Sequence, residues 1–126
     1  MASRGGGVYM SNPFLLFHWS PGERRKQILR YGLRPGCLSR CGIWKPPYIC
    51  FSASPSQAWG LIRQERGDIM DLWMMWSNVP SGYEVLYHDR TKKPKEYRIY
   101  ERIFKRDVWY VGTREYKPRK IKERNR

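Results

Sequence analysis

Cysteine is sparse in this chain, and what there is does not pair. Cys37, Cys41 and Cys50 are an odd number at irregular spacing. That argues against a disulfide framework and suits a reducing cytosol. A zinc site built from Cys37, Cys41, Cys50 and His88 would call for a second paired motif, and none is present. Long apolar runs are missing too. The opening "MASRGGGVYMSNP" holds no apolar core of signal-peptide length, and "FLLF" is far too short to span a membrane. Acidic residues are few: 11 Asp and Glu stand against 25 Lys and Arg, a net charge of +14 over 126 residues. A field of that size draws anionic partners, whether nucleic acid, anionic lipid, an acidic protein or a phosphorylated cofactor.

What is abundant is aromatic. Six Trp and nine Tyr are many for one domain, so some must sit at the surface or line a cleft. An apolar share of 40% is that of a globular chain and not of a disordered one. The pattern predicts a flexible tail over 1–13, a folded domain over 14–113 and a basic tail over 114–126.

Within the domain, Phe14 to Phe17 reads as a buried strand that ends at His18. Ser20-Pro21-Gly22-Glu23 then has the form of a capping box, with Ser20 as N-cap and Pro21 at the first helical position. The helix is expected to run to about Tyr31, with Ile28 and Leu29 facing the core and Arg24, Arg25, Lys26 and Arg30 mostly facing solvent. Gly32 stops it and Pro35 prevents a restart. Residues 35–47 read as a loop. "YICFSA" is a second strand, and Ser54-Pro55-Ser56-Gln57 opens a second capped helix, expected through about Glu65.

The second half is strand-rich. "IMDLWMMWS", "YEVLYHD", "EYRIYERIF" and "VWYVGT" each read as a strand. In the third of these, Tyr97, Ile99 and Ile103 share one face, and Glu96, Arg98, Tyr100 and Arg102 the other. The fold class expected is α+β, with two short helices in the N-terminal half packed on a mostly antiparallel sheet.

No metal-ligand motif, glycine-rich phosphate loop or Ser/His/Asp order is present. Three segments nevertheless carry a resemblance in the right order. "LFHWSP" followed by "ILRYGLRPG" resembles Leu-x-His-Gly-Ser followed by Ile-Leu-x-x-Gly-Leu-Arg. "YICFSASPSQAW" resembles Ile-Tyr-Phe-Ala followed by Ser-x-x-Tyr. "EYRIY" resembles Glu-Tyr-x-x-Tyr. These are signature segments of the ADP-ribosyltransferase fold, closest to the catalytic domain of the poly-ADP-ribose polymerase family, and they cover roughly half of the chain. The resemblance implies a split sheet and an NAD-dependent transferase.

Residue by residue, the resemblance implies that His18 hydrogen-bonds a ribose hydroxyl of NAD and that Glu96 is the catalytic glutamate. Trp19 stands where the family has the glycine whose backbone grips the nicotinamide amide. Ser20 falls on the serine that follows, and Phe51 and Ser52 on Phe-Ala. With a loop two residues shorter, Ser56 would bond the nicotinamide amide and Trp59 would stack on its ring. Cys50 occupies the position of the family's tyrosine. Tyr48 lies two residues earlier on the same strand face and is the candidate for the missing aromatic wall.

The regulatory helical domain of the polymerases is expected to be lacking, and single transfer to a protein or nucleic-acid acceptor is expected, by a monomer. Small basic proteins of this style also occur in bacteriophages, which would place this one in a host cytoplasm. The basic helix (Arg24 to Arg30) and tail (Arg114 to Arg126) are candidates to recruit nucleic acid by neutralising phosphates. The other reading is a catalytically degenerate member of the fold that binds nucleic acid or an acidic partner. It is motivated by Cys50, by Trp19 in place of glycine, and by the charge.

Overall fold

The computed structural model describes residues 12–36, 47–61 and 69–115. The chain is α+β, and the described residues form two three-stranded antiparallel sheets and short helices. Strand β1 (Leu15–Pro21) leads through one 3-10 turn (Gly22–Arg24) into α1 (Arg25–Tyr31). Strand β2 (Ile49–Phe51) leads into α2 (Pro55–Trp59). Strands β3 (Ile69–Trp76), β4 (Glu84–Tyr87), β5 (Pro94–Ile99) and β6 (Trp109–Glu115) follow. No helix among the described residues is long and apolar enough to cross a membrane.

One sheet has the order β1-β3-β6 and the other β2-β5-β4. Their inner edges, β1 and β2, touch at a single antiparallel pair, Phe17 with Ser52. Both ladder bonds form there, Phe17 N–H to the Ser52 carbonyl at 2.7 Å and Ser52 N–H to the Phe17 carbonyl at 3.0 Å. The six strands therefore run 4-5-2-1-3-6 with a fork between β1 and β2. The larger core draws Leu16, Trp73 and Met75 from the first sheet and Ile49, Phe51, Tyr97 and Ile99 from the second, with Ile28 of α1. A smaller core lies on the other face of β1, where Trp19, Met70 and Leu72 meet Ala58 and Trp59 of α2.

The first helix does not begin where its capping signature places it, and His18 does not end its strand. Strand β1 continues through Ser20 and Pro21, which pair with Asp71 and Met70 of β3. Ser20 is buried, and its hydroxyl accepts the indole N–H of Trp73 at 3.1 Å. No side chain caps either helical segment that follows. A buried indole N–H without a partner costs more than an exposed cap gains, so the strand holds Ser20. Leu29, expected in the core, is exposed; over the seven residues of α1 only Ile28 is buried.

Other local signals hold. Gly32 ends α1 at φ 81°, with its N–H on the Ile28 carbonyl at 2.7 Å. Ser54 caps α2 by accepting the Gln57 N–H at 3.1 Å. The Gln57 side chain does not close the box; it donates to the Pro94 carbonyl and ties α2 to β5. The helix, expected through about Glu65, ends at Trp59 with Gly60 as its C-cap; residues 62–65 of the expected span lie outside the described residues. "EYRIYERIF" is not one long strand: β5 ends at Ile99, and Ile103 makes a separate bridge to Leu33. Arg114 and Glu115, expected in the tail, belong to β6.

Candidate functional site

The fork sets the site. In an antiparallel ladder, hydrogen-bonded pairs recur every second residue. Beyond Phe17 and Ser52 the next such pair would be Trp19 with Cys50. By then the strands have parted. The Cys50 carbonyl is instead met by His18 Nδ1 at 2.7 Å. A carbonyl only accepts, so Nδ1 carries the proton, and Nε2 is the acceptor nitrogen of the neutral ring. The His18 ring also rests against Phe51, with centroids 5.3 Å apart.

The same geometry turns the N–H and C=O of Trp19 toward the fork, and no backbone partner among the described residues takes them. The Trp19 side chain goes to the opposite face of β1 from His18. Its indole donates to the Pro55 carbonyl at 2.9 Å and meets Trp59 edge-on at 4.7 Å.

On β2 and β5, Cys50 stands directly opposite Arg98, so Tyr48, Cys50, Glu96 and Arg98 share one face. The Cys50 thiol donates to Glu96 Oε2, and Arg98 Nε donates to the same oxygen at 3.1 Å. Glu96, read from sequence as the start of a polar strand face, is only 6% exposed. Burying a carboxylate is costly unless it is paired, and Arg98 is the charge that pairs it. The hydrogen bond to Glu96 holds the Arg98 guanidinium above its ordinary range. Arg98 also lies 4.2 Å over the Tyr48 ring, and burial pushes the Tyr48 hydroxyl up despite that positive neighbour. Tyr100, whose hydroxyl bonds Glu84, packs edge-on against Tyr48.

Cys50 is thus the meeting point of the first and last signature segments: His18 reaches its carbonyl and Glu96 its thiol. Tyr48 joins them through Arg98. The other sequence candidates are placed differently. Phe51 is a core residue. Ser52 is wholly buried at the sheet junction, its hydroxyl on the Lys95 carbonyl at 3.1 Å. Ser20 lies under Trp73. Ser56 is exposed on α2, its hydroxyl beside that of Ser54. Trp59 sits on the Trp19 side of β1, with the Arg114 guanidinium 4.0 Å over its ring.

Sequence reasoning missed the role of Arg98 at Glu96, and it missed a second buried carboxylate. Asp71 is fully buried, gripped by Arg25 through Nε at 2.8 Å and Nη2 at 2.7 Å, and by the Thr113 hydroxyl at 2.8 Å. Its hydrogen bonds raise the Arg25 guanidinium above the usual range. Arg25, expected to face solvent, is therefore what ties α1 to β3. The available signal was a lone acid inside "IMDLWMMW", which demands a partner. Of the three cysteines, Cys37 and Cys41 lie outside the described residues, and no group of three or more metal-ligating side chains occurs among the described ones. Comparison with protein-family models, with curated proteins and with solved structures finds no match to this chain.

Proposed function

We propose that the protein is an NAD-dependent mono-ADP-ribosyltransferase acting on a protein or nucleic-acid acceptor. The observation that carries this reading is the convergence of His18 and Glu96, 78 positions apart in sequence, on Cys50 at the fork of a split antiparallel sheet. The sequence resemblance, which assigns those two residues to NAD, makes no use of that contact, so the contact is independent support.

The chemistry follows from the groups present. The bond between the nicotinamide nitrogen and the ribose C1 breaks, and its electron pair leaves with nicotinamide. Positive charge builds on the ribose, and the Glu96 carboxylate against a ribose hydroxyl stabilises it. His18, its Nδ1 proton committed to Cys50, has Nε2 as its acceptor nitrogen for a ribose hydroxyl of NAD. The outward-turned N–H and C=O of Trp19 match the acceptor and donor of a primary amide, which is what nicotinamide presents. The acceptor nucleophile then attacks C1 and loses its proton. Holding these parts in one geometry supplies much of the rate.

A second reading has its own support. Cys50 stands at the family's tyrosine, and the Glu96 carboxylate is already engaged by a thiol and a guanidinium. A non-catalytic protein that keeps the fold and binds an anionic partner would look like this. The deciding experiment is incubation of the protein with labelled NAD and candidate acceptors, following nicotinamide release and label transfer beside Glu96→Gln. Transfer that falls by a factor of roughly 10² or more in the variant is expected. A well-folded protein that neither cleaves nor binds NAD moves the assignment to the second reading.

A further inference from the structure

The nucleic-acid surface expected on the first helix is not a uniform basic face, because Arg25 is committed to Asp71. Cations collect instead at the far end of that helix. Residues 29–34 and 102–106 bring together Arg30, Arg34, Arg102, Lys105 and Arg106 without an acid among them. The neighbouring acids are engaged: Glu101 holds Ser81, and Asp107 lies 4.0 Å from Arg106.

Two large aromatic side chains stand exposed in the same place, Tyr31 at 44% and Phe104 at 47%. One guanidinium lies over the Tyr31 ring and two over that of Phe104. Arg30 lies 5.4 Å from the Tyr31 centroid, and Arg102 and Arg106 lie 5.0 and 5.3 Å from that of Phe104. The two segments are fastened together. Leu33 and Ile103 exchange both backbone hydrogen bonds at 2.9 Å, and Arg102 Nη2 donates to the Tyr31 carbonyl at 3.0 Å. Gly32 permits this approach, since a Cβ there would fall 2.0 Å from the Ile103 carbonyl oxygen.

We propose that Tyr31 and Phe104, with Arg30, Arg102 and Arg106, form a docking platform for single-stranded nucleic acid. In the folded chain these exposed rings make only arginine contacts among the described residues, worth about 0.5–1 kcal/mol each, while unpaired bases stack on aromatic faces and arginines take the phosphates between them. A duplex hides its base faces, and an acidic peptide has no use for the rings. The platform does not depend on the Glu96 site being a transferase.

The test is fluorescence anisotropy with labelled oligothymidylate and oligouridylate, a matched duplex, and polyglutamate, across about 50 to 200 mM salt. At least one single strand should bind more tightly than the duplex and polyglutamate. Tyr31→Ala and Phe104→Ala should each weaken it about tenfold, whereas Phe104→Trp should keep it. Neutralising both Arg102 and Arg106 to Gln should lower the log–log salt slope by roughly 1.4. A thermal melt verifies that each variant folds, and the exposed Phe104→Ala change suffices if the double substitution does not. The proposal is overturned if neither single strand binds, if duplex or polyglutamate binds as well, or if Phe104→Ala retains full affinity, the result expected were binding carried by the basic tail alone.

Discussion

His18 Nδ1 occupies the place at the Cys50 carbonyl that the Trp19 amide would take if the β1–β2 ladder ran one pair further. A side chain has replaced a backbone bond, and the strands can part without orphaning that carbonyl. His18→Ala should cost about 1 kcal/mol of stability for the lost hydrogen bond. It should lower label transfer from NAD by roughly 10²-fold through lost orientation. Urea unfolding and the transfer assay read the two effects separately, and transfer at the parent rate would remove His18 from the NAD site.

Ser20 is a buried acceptor for Trp73 and not a helix cap. Ser20→Ala should therefore destabilise by about 1–3 kcal/mol, the penalty for a buried unsatisfied indole N–H. Trp73→Phe in the same background should shrink that penalty, because the orphaned donor is gone. A cap would behave otherwise: Ser54→Ala, at the true N-cap of α2, should cost about 1 kcal/mol whatever stands at position 73.

Gly32 has φ 81° and ψ −163°, a region open essentially to glycine alone. Gly32→Ala should cost about 1–3 kcal/mol from the backbone alone. The clash with the Ile103 carbonyl adds to that by opening the bridge between Leu33 and Ile103. Denaturant unfolding measures the loss. A variant as stable as the parent would show that the bridge contributes nothing.

Burial pushes the Tyr97 hydroxyl above its ordinary value of 10.0. Below that pH the tyrosine is protonated in both the folded and unfolded chain, and its contribution to stability is fully present. Above it the unfolded chain releases the proton first, so stability falls as pH rises through the raised folded value. Urea unfolding from about pH 8 to about pH 11 should show this decline, and Tyr97→Phe should make it shallower. An unchanged slope in the variant would assign the decline to other groups, Tyr48 first among them.

Local punctuation was the most legible part of the chain. Gly32 stops its helix and Ser54 caps its own because both effects act within a few residues. The alternation of Glu96 and Arg98 with Tyr97 and Ile99 placed the correct residues on each face of β5, since a strand's period of two needs no partner to be read. The α+β class followed from the same patterns.

Three features could not be read locally. Ser20 satisfies a capping signature, yet it pairs with β3 because a tryptophan 53 positions away needs its oxygen. Tyr110 and Thr113, three apart, would face opposite ways on a regular strand. The register shift between Leu72 and Trp73 leaves Val111 as an extra residue in β6 and turns both toward the Arg25–Asp71 pair. The fork itself arises where two sheets diverge, and only there does Cys50 meet both His18 and Glu96. Residue types, strand periods and turn residues are properties of short segments and survive in any fold built from them. Which buried donor meets which acceptor depends on long-range pairing, where the cost of an unsatisfied polar group overrules the local preference.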